Sequence, residues 1–196
     1  MFQRVMDYPI SIVLASKSPR RRQLIELLGF PVELVAIDVD EHIDATVPVE
    51  CVAETLACRK AAGYDRSRLS LGQVLVTADT IVALDGHVLG KPADRDEAVA
   101  MLTALSGRQH TVYTGVCLTS PVKQRSFTEA TRVFFRALSQ QEIVHYIDTF
   151  RPFDKAGSYG VQEWIGAVGV ERIEGCFYNV MGLPTSRLYR EITHVV

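Results

Sequence analysis

Short apolar runs alternate along the chain with longer stretches in which apolar residues recur at helical spacing. The runs have the length of buried strands, and the pair Asp85-Gly86 between two of them is typical of a β-hairpin turn. Strands are therefore predicted at Ser11–Ala15, Val32–Ile37, Val74–Val76, Ile81–Leu84, His87–Leu89, Thr111–Thr119 and Arg125–Phe135, with further short strands between Val161 and Val180.

The stretches at helical spacing begin at residues that favour helix starts. Helices are predicted to begin near Pro19, Pro48, Asp94, Ser139 and Pro184. Ser18 is the expected cap of the first of them, and Ser139 is expected to form a capping box with Glu142. In the first helix Leu24, Leu27 and Leu28 form the apolar stripe, and in the second the stripe leads on to Lys60. Since strands and helices alternate around one hairpin, the predicted class is α/β with a mixed sheet.

Composition places the chain among ordinary globular proteins. It has 196 residues, of which 47% are hydrophobic and 22% charged, and this excludes wholesale disorder. The formal net charge of −2 excludes a generally basic nucleic-acid binder, and the apolar runs are too short to span a bilayer. The first residues lack a signal-peptide pattern, and the cysteines have no zinc-site spacing, so we expect a cytoplasmic protein with reduced thiols. Residues 1–10 are interpreted as an N-terminal extension and residues 11–196 as a single catalytic domain.

The segment Ser16–Arg22 crowds four cations around a predicted helix start. Each exposed cation at that end interacts unfavourably with the helix macrodipole, which destabilises the helix by about 0.3–1 kcal/mol. A bound anion reverses the effect, because free backbone N–H groups, the hydroxyls of Ser16 and Ser18 and forked guanidinium groups suit a polyphosphate. Arg20 and Arg21 are the guanidinium candidates. Without such a ligand the segment is a solvated basic helix start, and the residues alone leave both interpretations open.

Four further charged residues lie at positions that suit a functional site as well as a structural role. Asp79 follows the run Val74–Val76 at a predicted strand end, where a carboxylate either caps a turn or acts as a base or metal ligand. Lys60, on an apolar stripe, either extends to solvent or points into a cleft toward an anion. Lys91 is either a solvated turn residue or a similar phosphate contact. The acidic loop around Glu41 is either solvated or offers oxygen ligands to a hard divalent cation.

Basic groups for phosphate, acidic groups for a metal and a carboxylate that can act as a base are the components of metal-assisted phosphoanhydride hydrolysis. No GxxxxGK[ST], GxGxxG or GxSxG motif occurs, which argues against a Walker-type nucleotide site, a dinucleotide site and a serine hydrolase. The residues by themselves therefore support a phosphate-ester or anhydride hydrolase.

Six short motifs follow one another along most of the chain. They are Leu14–Arg21, Ala78–Val82, Gly90–Pro92, Leu105–Gly107, Asp154–Gly160 and Gly182–Pro184. In this order they resemble the Maf family of nucleotide pyrophosphatases. The resemblance implies hydrolysis of nucleoside triphosphates to the monophosphate and pyrophosphate with a divalent metal cation (Mg, Mn or Co), in a house-cleaning role. It also implies an elongated mixed α/β sheet flanked by helices, related to the inosine-triphosphate pyrophosphatases, and a homodimer.

The resemblance also implies roles for individual positions. Asp79 matches the family's proton acceptor, and the specificity positions are matched by Arg20, Thr80 and Gln162. Further phosphate and metal-site residues are matched by Arg21, Glu41, Lys60 and Lys91, with Asp40 as an alternative to Glu41. At the specificity positions the chain has the residues of the family branch that acts on pyrimidine nucleotides, so dTTP and UTP are the expected substrates. The alternatives are modified purine triphosphates such as 7-methyl-GTP, or a non-enzymatic nucleotide-binding role in the regulation of cell division.

Gln162 has two interpretations. Its amide offers an acceptor and a donor on one planar group, so it can pair with N3–H and O4 of uracil or thymine. The alternative is that it satisfies backbone groups of the glycine-rich loop that carries it.

Overall fold

The computed structural model describes residues 10–44 and 46–196. The predicted N-terminal extension lies outside these residues except for Ile10. The strands of the described part are β1 (Ser11–Ala15), β2 (Val32–Val35), β3 (Gln73–Leu84), β4 (His87–Leu89), β5 (Gln109–Thr119), β6 (Gln124–Phe135) and β7 (Val170–Glu174).

The α-helices of the described part are α1 (Pro19–Glu26), α2 (Val49–Ala62), α3 (Arg95–Leu105), α4 (Gln140–Phe150), α5 (Trp164–Gly169), α6 (Phe177–Met181) and α7 (Thr185–Ile192). A single-turn 3₁₀ helix occurs at Arg66–Arg68, and Ala156–Ser158 forms a tight turn in which Gly157 is non-helical. None of the helices described here is long and apolar enough to cross a lipid bilayer.

The strands form one mixed sheet in the order β2-β1-β3-β5-β6-β7, with β4 paired to β3. β1 runs parallel to both β2 and β3, and Ile12 lies opposite Val32 and Val74. β4 is antiparallel to β3 through the predicted hairpin turn, where Asp85 and Gly86 both have a positive φ. β7 is antiparallel to β6. The prediction of an α/β protein with a mixed sheet flanked by helices is confirmed.

The chain divides into two compact units. The first unit contains the described residues up to Asp79 together with Thr114–Glu129 and Gly182–Val196, and the second contains Thr80–Tyr113 and Ala130–Met181. Each unit has an apolar core of its own. Core residues of the first unit include Val13, Ala57, Leu75 and Cys117, and those of the second include Leu102, Phe135, Ile147 and Ile165. A single catalytic domain over residues 11–196 stays a prediction.

In the first unit, α2 lies directly against the sheet. A Cβ atom at Gly115 of β5 would lie 2.1 Å from the backbone nitrogen of Glu54, so the helix can approach this closely only because the residue is glycine. The Thr77 hydroxyl of β3 donates to the Ala57 carbonyl oxygen at 2.7 Å. These contacts hold α2, and with it Lys60, against the central strands.

The predicted apolar stripe of α1 needs correction. The buried residues of this helix are Leu24 and Ile25, whereas Leu27 is 69% exposed. The helix ends at Glu26, so Leu27 lies beyond its last turn and does not continue the buried face. The expectation that Leu27 packs in the core is therefore wrong.

The placement of Asp79 at a strand end is also wrong. β3 is one continuous strand of 12 residues rather than two runs. Its parallel pairing with β1 ends at Thr77, and its antiparallel pairing with β4 begins at Val82. Asp79 therefore lies inside the strand, between these two pairings.

Between Val161 and Val180 the prediction of several short strands is wrong, because α5 and α6 occupy much of this segment and β7 is the strand described there. A Cβ atom at Gly166 would lie 1.9 Å from the Val161 carbonyl oxygen, so α5 begins with a backbone approach that requires glycine. Helices of five or six residues are too short to show a helical period, and their β-branched residues favour a strand prediction.

Candidate active site

The start of α1 holds its arginines in different surroundings. Ser18 Oγ accepts the backbone N–H of Arg21 at 3.5 Å, and Ser16 Oγ accepts that of Ser18 at 3.2 Å. Both hydroxyls therefore shape the turn that opens the helix. The Arg21 side chain is half-buried, and its Nε donates to the Gly182 carbonyl oxygen at 2.9 Å. Arg22 is more exposed and pairs with an acidic residue one turn further along the same helix.

Lys60, near the C-terminal end of α2, is held between two carboxylates. Its Nζ lies 2.6 Å from Asp79 Oδ1 and 2.8 Å from Glu41 Oε1. The side chains of Lys60 and Asp79 are 14% and 16% exposed, whereas that of Glu41 is 55% exposed. The apolar stripe of α2 thus brings the ammonium to the two carboxylates rather than out to solvent.

Arg21 extends the group formed by Lys60, Asp79 and Glu41, and Arg20 lies beside Arg21. Burial lowers the pKa of the Arg21 guanidinium below its ordinary value, the Asp79 carboxylate opposes that shift, and Arg20 and Glu41 act on it with opposite signs. Arg21 therefore lies within electrostatic range of all three side chains. We refer to Arg20, Arg21, Glu41, Lys60 and Asp79 as the Lys60 cluster. It holds three cations against two carboxylates, which favours an anionic ligand.

The acidic loop contributes one carboxylate to the Lys60 cluster. Asp40 Oδ1 accepts the backbone N–H of His42 at 2.9 Å, and Asp38 pairs with Lys17 at the surface. Glu41 is the residue of this loop that contacts the lysine. The geometry therefore favours Glu41 over Asp40 as the candidate metal ligand.

The carboxylates of Glu41 and Asp79 also suit a divalent cation. Mg²⁺ prefers oxygen ligands and is usually bound by one or two carboxylates together with substrate phosphates. In the described residues, no three side chains of the His, Cys, Asp or Glu type gather in a metal-binding group. Two carboxylates close enough to share one ammonium fit the sparser arrangement that Mg²⁺ uses with a phosphate substrate.

The other predicted site residues belong to the second unit. Thr80 follows Asp79 on β3 and is half-buried. Lys91 is exposed beyond the end of β4, where the Gly90 carbonyl oxygen accepts the backbone N–H of Gly157 at 3.0 Å. Gln162 is exposed as well. The structure thus brings the Lys60 cluster together within the first unit, while Thr80, Lys91 and Gln162 lie in the second.

The sequence interpretation assigned no role to the residues of a polar network in the second unit that is centred on Lys155. Lys155 is buried, and its Nζ lies 2.7 Å from Asp154 Oδ1 and 3.1 Å from Glu163 Oε1. Glu163 also accepts a hydrogen bond from the Tyr146 hydroxyl on α4. A lysine within the glycine-rich segment Asp154–Gln162 was the available signal, but nothing in the sequence identified its partners.

A family model described as Maf-like protein matches residues 11–195. The chain therefore belongs to the Maf-like protein family. It is 52% identical over 182 residues to the dTTP/UTP pyrophosphatase of Bacteroides thetaiotaomicron, covering 92% of this chain and 94% of that protein. It is 47% identical over 195 residues to the dTTP/UTP pyrophosphatase of Parabacteroides distasonis, covering 99% of this chain and 100% of that protein.

Among solved structures, the chain is similar to the Staphylococcus aureus Ham1 protein, with a TM-score of 0.46 and 14% sequence identity. The similarity covers 64% of this chain and 71% of that chain. At this level of similarity the fold assignment rests on the strand order and pairings of the chain itself.

Proposed function

We propose that this protein is a nucleoside triphosphate pyrophosphatase that hydrolyses dTTP and UTP to the monophosphate and pyrophosphate. Support comes from relatives of that name, which are about half identical over more than nine-tenths of the chain. The observation that carries the proposal is the Lys60 cluster. A lysine held between two carboxylates, with Arg21 in electrostatic range of both carboxylates and Arg20 beside Arg21, can bind a polyphosphate and assist the attack of water on it.

In this proposal Asp79 orients and deprotonates the water that attacks the α-phosphorus. Its carboxylate is held in place by Lys60, which contacts Oδ1 at 2.6 Å. General acid–base catalysis of this kind contributes about 10²–10⁴-fold in rate. Lys60, Lys91, Arg20 and Arg21 are proposed to stabilise the charge on the transition state and on the departing pyrophosphate. Ser16 and Ser18 are proposed as further phosphate contacts.

A divalent cation (Mg, Mn or Co) is the proposed cofactor, with Glu41 as its protein ligand. When bound, such a cation offsets the negative charge of a triphosphate. Glu41 suits this role because it is more exposed than Asp79, so its carboxylate can reach a cation that arrives with the substrate.

Base recognition is proposed for Gln162, with Arg20 and Thr80 as the other specificity residues. Gln162 is exposed, and its amide can accept the N3–H of uracil or thymine and donate to O4. Cytosine presents the reverse pattern at these two atoms, so it requires a flipped amide. The amide therefore matches uracil and thymine directly, and cytosine only after it flips.

We propose the cellular setting that the family resemblance implies, namely a cytoplasmic homodimer that removes unwanted nucleotides. The partner is the nucleoside triphosphate itself, with neither nucleic acid nor membrane as a ligand. The slightly negative net charge of the chain supports the proposal that nucleic acid is not a ligand.

The test is to incubate the protein and Mg²⁺ with dTTP, UTP, CTP, GTP and 7-methyl-GTP, and to measure pyrophosphate and orthophosphate separately. We expect pyrophosphate without orthophosphate, and kcat/KM for dTTP and UTP at least about 10-fold above the value for GTP. Orthophosphate as the first product would contradict the proposed bond cleavage. Turnover of 7-methyl-GTP alone would contradict the pyrimidine preference, and no turnover of any substrate would favour the non-enzymatic alternative.

A further inference from the structure

One phenolic oxygen contacts the chain on both sides of Gln162. Tyr146 is fully buried on α4, and its hydroxyl accepts the backbone N–H of Gly160 at 3.0 Å. The same hydroxyl donates to Glu163 Oε2. Residues two positions before and one position after Gln162 are therefore held by one atom of a neighbouring helix.

The direction of these hydrogen bonds is well defined. Burial, and then the neighbouring Glu163 carboxylate, raise the pKa of the Tyr146 hydroxyl above its ordinary value, so the phenol stays protonated. A protonated phenol donates one hydrogen bond and accepts another, which are the two bonds seen here. Glu163 is held in turn by Lys155, whose Nζ lies 3.1 Å from its other oxygen. The hydrogen bond from Tyr146 to Glu163 is thus supported by an ion pair whose lysine is buried.

The glycine-rich segment Asp154–Gln162 contains an unfavourable backbone conformation at Ser158, which the surrounding contacts must hold in place. Gly157 and Ser158 have φ values of 67° and 62°, and a non-glycine residue such as serine rarely adopts the left-handed region. Ser158 is fully buried, so the surrounding structure imposes this conformation.

The Gln162 side chain itself lies over the tethered residue. A Cβ atom at Gly160 would be 2.8 Å from Gln162 Nε2 and 2.8 Å from the Glu163 carboxyl carbon. The amide therefore packs on the backbone that Tyr146 holds. The position of Gly160 therefore helps to set the position of the amide.

We propose that Tyr146 is a positioning residue for base recognition, which fixes the backbone on both sides of Gln162 and so presents its amide in one orientation. This proposal rests on the proposed function, because it requires Gln162 to recognise the base. An amide held in place before the base binds loses less conformational freedom on binding than a mobile one.

The test is Tyr146→Phe, which keeps the ring and removes the tethering oxygen. We expect kcat/KM for dTTP and UTP to fall about 5–30-fold, mainly through KM, because a buried hydrogen-bonding site is lost but the Lys60 cluster is untouched. The preference for UTP over CTP should fall by a similar factor, because an amide that is no longer held in one orientation can flip to pair with cytosine. Phosphate binding at the Lys60 cluster should be unaffected, so pyrophosphate should raise the melting temperature of the variant as much as that of the wild type.

Tyr159→Phe is the matched control. Tyr159 is also buried in this segment, but its hydroxyl pairs with His110 Nε2 at 2.7 Å and not with the backbone beside Gln162. It should lower the melting temperature and leave the base preference as in the wild type. Equal preferences in Tyr146→Phe and the wild type, or the same loss in both phenylalanine variants, would overturn the proposal.

Gln162→Glu separates this proposal from the proposed function. We expect it to lower kcat/KM for dTTP and UTP by about 10-fold or more, because a carboxylate cannot donate to O4. If Gln162→Glu changes the base preference and Tyr146→Phe does not, base recognition stands and the positioning role is wrong. If Gln162→Glu leaves the preference unchanged, base recognition by Gln162 is wrong and the positioning role fails with it.

Discussion

At the scale of the residue, Lys60 shows how a fold accommodates an ammonium on an apolar helix face. A charge removed from water is tolerated when it is paired and hydrogen-bonded, and Lys60 has two carboxylates within 2.8 Å. One of them, Asp79, is nearly as buried as the lysine, whereas Glu41 lies closer to solvent. Lys60 and Asp79 are thus the more buried pair of the cluster, and Glu41 is the partner that solvent reaches more easily.

The role of Asp79 is tested by Asp79→Asn. We expect kcat to fall about 10²–10⁴-fold, because asparagine cannot accept the proton from water. The melting temperature should change little, because Lys60 keeps both partners. Its Nζ can still donate to the asparagine oxygen, and it still pairs with the Glu41 carboxylate. Steady-state kinetics and thermal unfolding of the same preparation measure both effects.

Asp38→Asn is the control for this substitution. Asp38 carries the same side chain, but it is 94% exposed and pairs with Lys17. It should retain wild-type kcat. Near-normal turnover in Asp79→Asn would refute the catalytic assignment, and a large loss of stability would indicate a structural role instead.

At the scale of the element, α4 is fixed at its first turn. Ser139 Oγ accepts the backbone N–H of Glu142, and the Glu142 carboxylate accepts that of Ser139, which completes the predicted capping box. Glu142 also pairs with Arg136 at the end of β6. Since α4 carries Tyr146, this cap stabilises the helix that holds the segment around Gln162.

The pairing of Glu142 predicts a pH-dependent contribution to stability. Arg136 first, and then the backbone and hydroxyl of Ser139, lower the pKa of Glu142 to about 2. A lowered carboxyl pKa stabilises the fold above the unfolded value, about 4.3, and the stabilisation is lost as the pH falls toward 2. Glu142→Gln should therefore lower the free energy of unfolding at pH 7 by an amount that shrinks below pH 4.5. Urea unfolding from pH 7 to 3 measures this, and a constant difference would contradict it.

At the scale of the whole molecule, ligand binding and stability are linked. A ligand that binds the folded chain and not the unfolded chain raises the free energy of unfolding by mass action. The Lys60 cluster has more cations than carboxylates, so pyrophosphate, one proposed product, is a suitable probe.

We expect pyrophosphate with Mg²⁺ to raise the melting temperature more than potassium chloride of equal ionic strength. Arg21→Ala should abolish most of this rise, because Arg21 is a half-buried cation of the Lys60 cluster. Arg22→Ala is the matched control, since the neighbouring arginine is exposed and pairs with Glu26. Differential scanning fluorimetry gives the shifts. An equal rise with chloride would mean that the basic helix start is only a screened surface patch.

The sequence by itself determined the features whose partners lie within a few residues. The cap of α1 at Ser18, the capping box of α4 and the buried stripe of α2 were all predicted, because each depends on spacings of three or four positions. The hairpin turn at Asp85-Gly86 followed from the same local chemistry. The family motifs named the members of the Lys60 cluster but not their arrangement.

Only the tertiary structure decided which of these side chains meet. Lys60 and Asp79 are 19 positions apart, and their contact depends on the close packing of α2 on β5 at Gly115. The hydrogen bond between Tyr146 and Gly160 likewise joins a helix to a segment 14 positions away. Local spacing cannot encode such contacts, because they form only when a shared apolar core has fixed the elements that carry them.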